Sequence, residues 1–142
     1  MGDYFKHWVE VGAAAQDQEK LPKIFYVNWF RKDDENKDLP GGFMWPGYGD
    51  NSRVLAWIFD RCNGVDNAKD NPIGLMPADG ALNLDGLEEV YKAQIPTITS
   101  VDKEGWLKEC KDIRENHFAQ FGSHMPKELY DCLDDLEARL KA

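Results

Sequence analysis

Apolar positions along the chain fall into runs of different period, and each period predicts an element. Tyr4, Phe5, Trp8, Val9 and Gly12 lie at helical spacing behind Asp3, which suits an N-cap, so a first helix with one apolar stripe is expected before the polar linker "AAQDQEKLP". "KIFYVNW", residues 23–29, is almost continuously apolar and rich in β-branched and aromatic residues. That is the composition of a strand buried on both faces in the middle of a mostly parallel sheet. "RKDDENKDLPGG" reads as an exposed loop, closed by Pro40, Gly41 and Gly42. Asp50 or Asn51 can cap a second helix carrying Val54, Leu55, Trp57, Ile58, Phe59 and Cys62, apolar over much of its circumference and stopped by Gly64. Such a helix needs a large surface to bury it.

Residues 65–86 are rich in Asn, Asp, Gly and Pro and read as an irregular wrap, with "PIGLMP" as its one short strand. Leu84 to Lys92 predicts a short helix. Asp102 opens a longer one through Trp106, Cys110, Ile113, His117 or Phe118, and Phe121, ending at Gly122. The last helix has Pro126 at N1, Leu129, Leu133, Leu136 and Leu140 on one face, and Arg139 and Lys141 at the negative end of its dipole. The sum is a mostly helical chain with one or two short strands, one of which has the make-up of a central strand but no neighbours to pair with. The fold class is therefore α/β, appearing as α+β in an isolated piece, with residues 1–142 as a single unit of a larger sheet domain. Unpaired N–H and C=O groups on such a strand invite pairing with another molecule, so self-association is expected.

Composition narrows the functional classes. A 42% hydrophobic and 12% aromatic content is too rich for a disordered chain, and no apolar run is long enough to span a bilayer. The opening "MGDYFKHWVEVGAAAQ" carries charges within an amphipathic pattern rather than a secretory leader, which gives the expectation of a cytoplasmic protein. Cys62, Cys110 and Cys132 are far apart and form no CxxC, and His7, His117 and His124 form neither HxxxH nor HExxH. No metal site wholly within the chain is expected. A formal net charge of −9 repels nucleic acid and anionic membranes. An anionic ligand needs local compensation.

What remains is aromatic. "KIFYVNWF" and "FMWPGYGDNSR" together offer the walls of a cleft for a flat ring: Phe30 at the end of the strand, with Phe43 and Tyr48 across the turn. Asn51 carries a donor and an acceptor for a base edge. Backbone groups freed at Pro46 and Gly47 add further bonds, and Gly47 allows close approach. Rings beside a strand end serve more often as core than as ligand walls. "GYG" lacks the third glycine of a dinucleotide fingerprint, and no GxxxxGK[ST] phosphate loop occurs.

"LPKIFYVNWFRKD" followed by "FMWPGYGDNSRVLAWIFDRCNG" resembles the nucleotide-base region of GTP-dependent phosphoenolpyruvate carboxykinases, nearly continuously and through rare residues in fixed order. "NPIGLMPADGALNLDGL", "SVDKEGWLKECKDIRENHFAQFGSHMPKELYDCLDDLEARL" and "MGDYFKHW" are similar to neighbouring segments of the same family. The resemblance covers essentially the whole chain and about the C-terminal quarter of the family's length. It implies part of a C-terminal nucleotide-binding domain in a gluconeogenic lyase that converts oxaloacetate and GTP to phosphoenolpyruvate, carbon dioxide and GDP, with Mn2+ at the active site and a Mg2+-bound nucleotide. By this resemblance Phe30 and Phe43 sandwich guanine, Tyr48 closes the pocket where the family usually has Phe, and Asn51 contacts the base edge. Trp29, Trp45, Pro46 and Gly47 shape and support the pocket, while Asn28, Arg53 and Trp57 are structural.

The family's phosphate loop with its reactive cysteine, its metal ligands and its substrate-binding arginines fall upstream of the stretch that matches. No residue here is assigned a catalytic role, and the isolated chain is expected to be inactive. The partners implied are a guanine nucleotide and the remainder of a carboxykinase chain. "DLPGG" also stands before Phe43 where the family has a short turn. Either that loop bulges outward and Phe43 keeps its place, or the second wall is displaced. The alternative function is a free-standing binding module that offers Trp29, Trp45 and Pro46 to a protein.

Overall fold

The structure is a computed structural model describing residues 1–142. In chain order it contains α1 (Gly2–Ala14), α2 (Asn51–Cys62), β1 (Ala68–Asn71), β2 (Gly74–Pro77), α3 (Glu89–Lys92), α4 (Ile95–Ile98), α5 (Lys103–Asp112) and α6 (Lys127–Lys141), with short 3-10 turns at Gln18–Lys20 and Pro40–Gly42. It is mostly helical, and its one sheet is an antiparallel hairpin pairing Ala68 with Pro77 and Asn71 with Gly74. The chain divides into two compact units, Met1–Pro22 with Val101–Ala142, and Lys23–Ser100.

In the first unit α5 packs on α6 around Cys110, Leu133 and Leu140, of which Cys110 and Leu140 are almost wholly buried. Asp102 caps α5 by accepting from the Gly105 N–H at 3.0 Å, as its position before the helix predicts. After α5 the chain widens into one π turn at Ile113–His117 and tightens into a 3-10 segment at Phe118–His124, so the helix expected to run to Phe121 changes pitch instead. Phe121 meets Phe5 of α1 edge to face at 6.0 Å. Gly2 lies so close to the His124 carbonyl that a Cβ there would collide with it. Asp3 does not cap α1: it sits in the first turn, and its carboxylate bonds the His124 Nδ1 at 3.0 Å instead. Pro126 occupies the N-cap of α6 rather than N1. The leucine stripe behaves as its period requires, with Leu133 and Leu140 buried.

The second unit is built around Leu39, Met44, Trp45, Leu87 and Tyr91, with Trp29, Val54, Leu84, Val90, Ile95 and Ile98 packed against them. Two expectations fail here. Residues 23–29 form no strand, and Ile24 and Tyr26 are 89% and 92% exposed. Helix α2 buries only Trp57, leaving Leu55 and Phe59 in solvent. Both departures have one physical cause. A central strand needs ladder partners on its edges and an all-round apolar helix needs cover, and this chain supplies neither. The segment 65–86 also holds more order than an irregular wrap. Polar "AKDN" pairs with the expected "GLMP", and Lys69 and Asp70 in its middle, both exposed, carry no apolar alternation to mark it as a strand.

Candidate functional site

The aromatic stretch is positioned by a short backbone clamp. Lys32 and Phe43 form an isolated antiparallel bridge, flanked by the Asp33 N–H donating to the Gly42 carbonyl at 2.9 Å and the Met44 N–H donating to the Arg31 carbonyl at 3.0 Å. These bonds lie to either side of the pair, so Lys32 and Phe43 are a non-hydrogen-bonded pair with side chains at their closest approach on one face.

The residues before Phe43 turn inward rather than splaying out. Leu39 is 4% exposed and belongs to the core, and Pro40–Gly42 turns back into the clamp. Gly42 has φ +73, and a Cβ there would press on Asp34 Oδ1, so the turn requires glycine. Of the two outcomes the sequence left open, Phe43 is held beside Phe30.

The two rings meet edge to face, with centroids 6.3 Å apart and planes at 63°. Parallel walls around a flat base need about 7 Å, two stacking distances of roughly 3.5 Å. The rings are therefore together but not opened into a slot. Phe30 is 73% exposed, whereas Phe43 is half-buried and its backbone is held by the bridge. Tyr48 is 97% exposed and pairs with no other ring. Gly47 has φ +94 with open space where a Cβ would stand, and Pro46 is half-buried beside it.

Trp45 and Trp29 take supporting places. Trp45 is buried, and its Nε1 donates to Asn51 Oδ1 at 2.9 Å, while Trp29 packs half-buried against the same core. An indole N–H can only donate, so the oxygen of Asn51 must face it, leaving the Asn51 NH2 as the free end. That group donates to no protein acceptor. Asn51 can thus offer a hydrogen bond to a carbonyl oxygen or ring nitrogen of a ligand. Asp50 and Arg53 fix the start of α2, with Arg53 Nε donating to Asp50 at 2.8 Å and Nη1 to the Asn83 carbonyl at 2.7 Å.

Sequence reasoning missed Lys32, whose Nζ lies 4.6 Å from the centroid of the Phe43 ring. The residue-to-residue signal was interrupted by the ten-residue excursion between Lys32 and Phe43. Elsewhere, in the first unit, hydrogen bonds from Arg114 and Lys141 hold the Glu137 carboxyl below the ordinary glutamate range.

These features define a helix-dominated α+β piece with an edge-to-face ring pair, a lysine ammonium over one of the rings and, at the start of α2, an amide with its NH2 unpaired. Comparison with known proteins is more specific. The model of the phosphoenolpyruvate carboxykinase C-terminal P-loop domain matches residues 1–139. The chain is 59% identical over 140 residues to the phosphoenolpyruvate carboxykinase [GTP] of Treponema pallidum (strain Nichols), covering 99% of this chain and 22% of that protein. It is 52% identical to that of Neocallimastix frontalis, over 100% of this chain and 22% of the relative. With the cytosolic enzyme of Gallus gallus it shares 44% identity, over 99% of this chain and 21% of the relative. The chain belongs to the GTP-dependent phosphoenolpyruvate carboxykinase family and corresponds to part of its C-terminal domain. It spans about a fifth of the length of these relatives. Although the domain is described by its P-loop, the matching stretch contains no GxxxxGK[ST].

Proposed function

We propose that this chain supplies base recognition to a GTP-dependent phosphoenolpyruvate carboxykinase. Such an enzyme converts oxaloacetate and GTP to phosphoenolpyruvate, carbon dioxide and GDP in gluconeogenesis, in the cytoplasm. Phe30 and Phe43 are the guanine walls, Asn51 donates to the base edge, and Tyr48, Pro46 and Gly47 form the mouth. Trp29 and Trp45 hold the floor. The observation that carries this reading is the bridge that holds Phe43 beside the exposed Phe30. Turning Phe30 to lie parallel to Phe43 makes the slot that the edge-to-face pair lacks, and rotating an exposed ring costs little.

Reaction chemistry is assigned to the rest of the enzyme. No group of three or more His, Cys, Asp or Glu is placed to hold a metal ion, so the residues present do not fit the Mn2+ or Mg2+ of the family, and no step through those ions is derived. The two compact units belong together as one part of the nucleotide-binding domain. Ile24, Tyr26, Leu55 and Phe59 are the surface that the remaining carboxykinase chain covers, and in its absence they drive self-association.

The test is titration of the 142-residue chain with GDP and with ADP, followed by tryptophan fluorescence, because Trp29 and Trp45 adjoin the shelf. Stacking and edge contacts without a phosphate cradle put the expected affinity near millimolar, about −4 kcal/mol. Saturable quenching by GDP at concentrations well below those ADP needs supports the assignment. Absence of any response to either at several times that concentration points instead to the protein-binding alternative.

A further inference from the structure

The Lys32 ammonium covers one face of the Phe43 ring, where a base stacked on that face would lie. Phe43 has Gly41 against one edge, close enough that a Cβ would stand 3.3 Å from its Cδ2, and the tilted Phe30 ring beside it. Lys32 lies over the ring, held to that side by the bridge that pairs the two residues. The Lys32 side chain is itself exposed, so its ammonium is weakly bound to the ring and can be displaced by a better partner. A purine stacking on Phe43 pushes the ammonium off the face but not out of reach, because the backbone clamp keeps its root beside the ring. The ammonium must then settle at the rim of the base.

We infer that Lys32 is a specificity-determining residue: displaced from the face of Phe43, it donates to the O6 and N7 acceptors of a guanine-type base. The two acceptors share one edge of guanine, whereas adenine places an amino donor beside N7 and repels an ammonium. Asn51 presents only its NH2 towards ligand, so both side chains favour a carbonyl-bearing purine. The neighbouring Arg31 is turned away to the Thr97 carbonyl, to which its Nη1 donates at 3.1 Å, and Arg53 is engaged by Asp50 and the Asn83 carbonyl. The inference rests on Phe30 and Phe43 being the base walls.

The experiment titrates the full chain, Lys32→Met, Lys32→Arg and Phe30→Ala with GDP, IDP and ADP. IDP keeps O6 and N7 but lacks the 2-amino group, so it isolates the edge in question. Lys32 is exposed, so circular dichroism of Lys32→Met is expected to match the parent chain. The expected result is that Lys32→Met weakens GDP and IDP about tenfold, the scale of one base-edge contact, and leaves ADP unchanged, with Lys32→Arg restoring most of the loss. Equal weakening of all three nucleotides makes the ammonium a phosphate partner and overturns the assignment. If Lys32→Met changes nothing while Phe30→Ala abolishes binding of all three, the walls stand and the role of Lys32 falls. If Phe30→Ala binds like the parent chain, the wall reading falls and the inference with it.

Discussion

Replacing Asn51 with Ala tests the support of the shelf independently of any ligand. The change removes the acceptor for the Trp45 indole, whose N–H sits 2.9 Å from Asn51 Oδ1 on a side chain only 6% exposed. A buried donor left without a partner costs about 1–3 kcal/mol. Asn51 is also the first residue of α2, where Ala is the better helix former by roughly 0.5 kcal/mol, so the net loss is about 1–2 kcal/mol. With an m-value of about 2 kcal/mol/M for a chain of this size, the urea midpoint falls by about 0.5–1 M. Far-UV circular dichroism is the right probe, because tryptophan emission changes with the mutation itself. Trp45→Phe and the double variant complete a cycle, with an expected coupling near 1 kcal/mol. Additive single losses, or a midpoint for Asn51→Ala within about 0.1 M of the parent, would refute the claim that this bond anchors the floor of the shelf.

Four further outcomes are expected. Leu140→Ala, at a side chain 2% exposed in the first unit, should destabilise by about 2–5 kcal/mol in the same urea assay. In the native chain a thiol reagent should modify Cys62 and Cys132, and Cys110 only on unfolding, since burial both shields that thiol and pushes its pKa up; peptide mass mapping separates the three. Glu137 is held below the ordinary glutamate range by hydrogen bonds from Arg114 and Lys141, so its contribution is present above that range and lost as pH falls through the lowered value; melting temperature should therefore drop below about pH 4 less steeply in Glu137→Gln. Size-exclusion chromatography should show concentration-dependent association that Tyr26→Lys reduces, and a monomer at every concentration would count against the exposed 23–29 segment as the contact.

The helices of the chain were legible because their evidence is local. A leucine stripe in α6, an Asp before α5 and a glycine after α2 act through side chains and backbone within a few residues, so period and capping chemistry suffice. Even there, Asp3 was read as a cap when His124, far along the chain, claims its carboxylate. The aromatic residues of the shelf were legible as a group, but their arrangement was not. Whether Phe43 reaches Phe30 depends on the path of residues 33–42, and Leu39 decides it by entering the core, a long-range packing event with no periodic trace.

By itself, then, the sequence determined where α2 and α5 begin, that the chain is acidic, and that rings gather near residues 30 and 43. Tertiary structure alone decided that Lys32 stands over Phe43, that Asn51 turns its oxygen to Trp45 and its NH2 outward, and that the apolar run at 23–29 stays unpaired. The physical reason is the same each time. Helix caps and stripes are settled by bonds closed within a turn or two, whereas a cation on a ring, a buried donor's partner and a strand's ladder are settled by groups distant in sequence, which exist only once the chain has closed around its core.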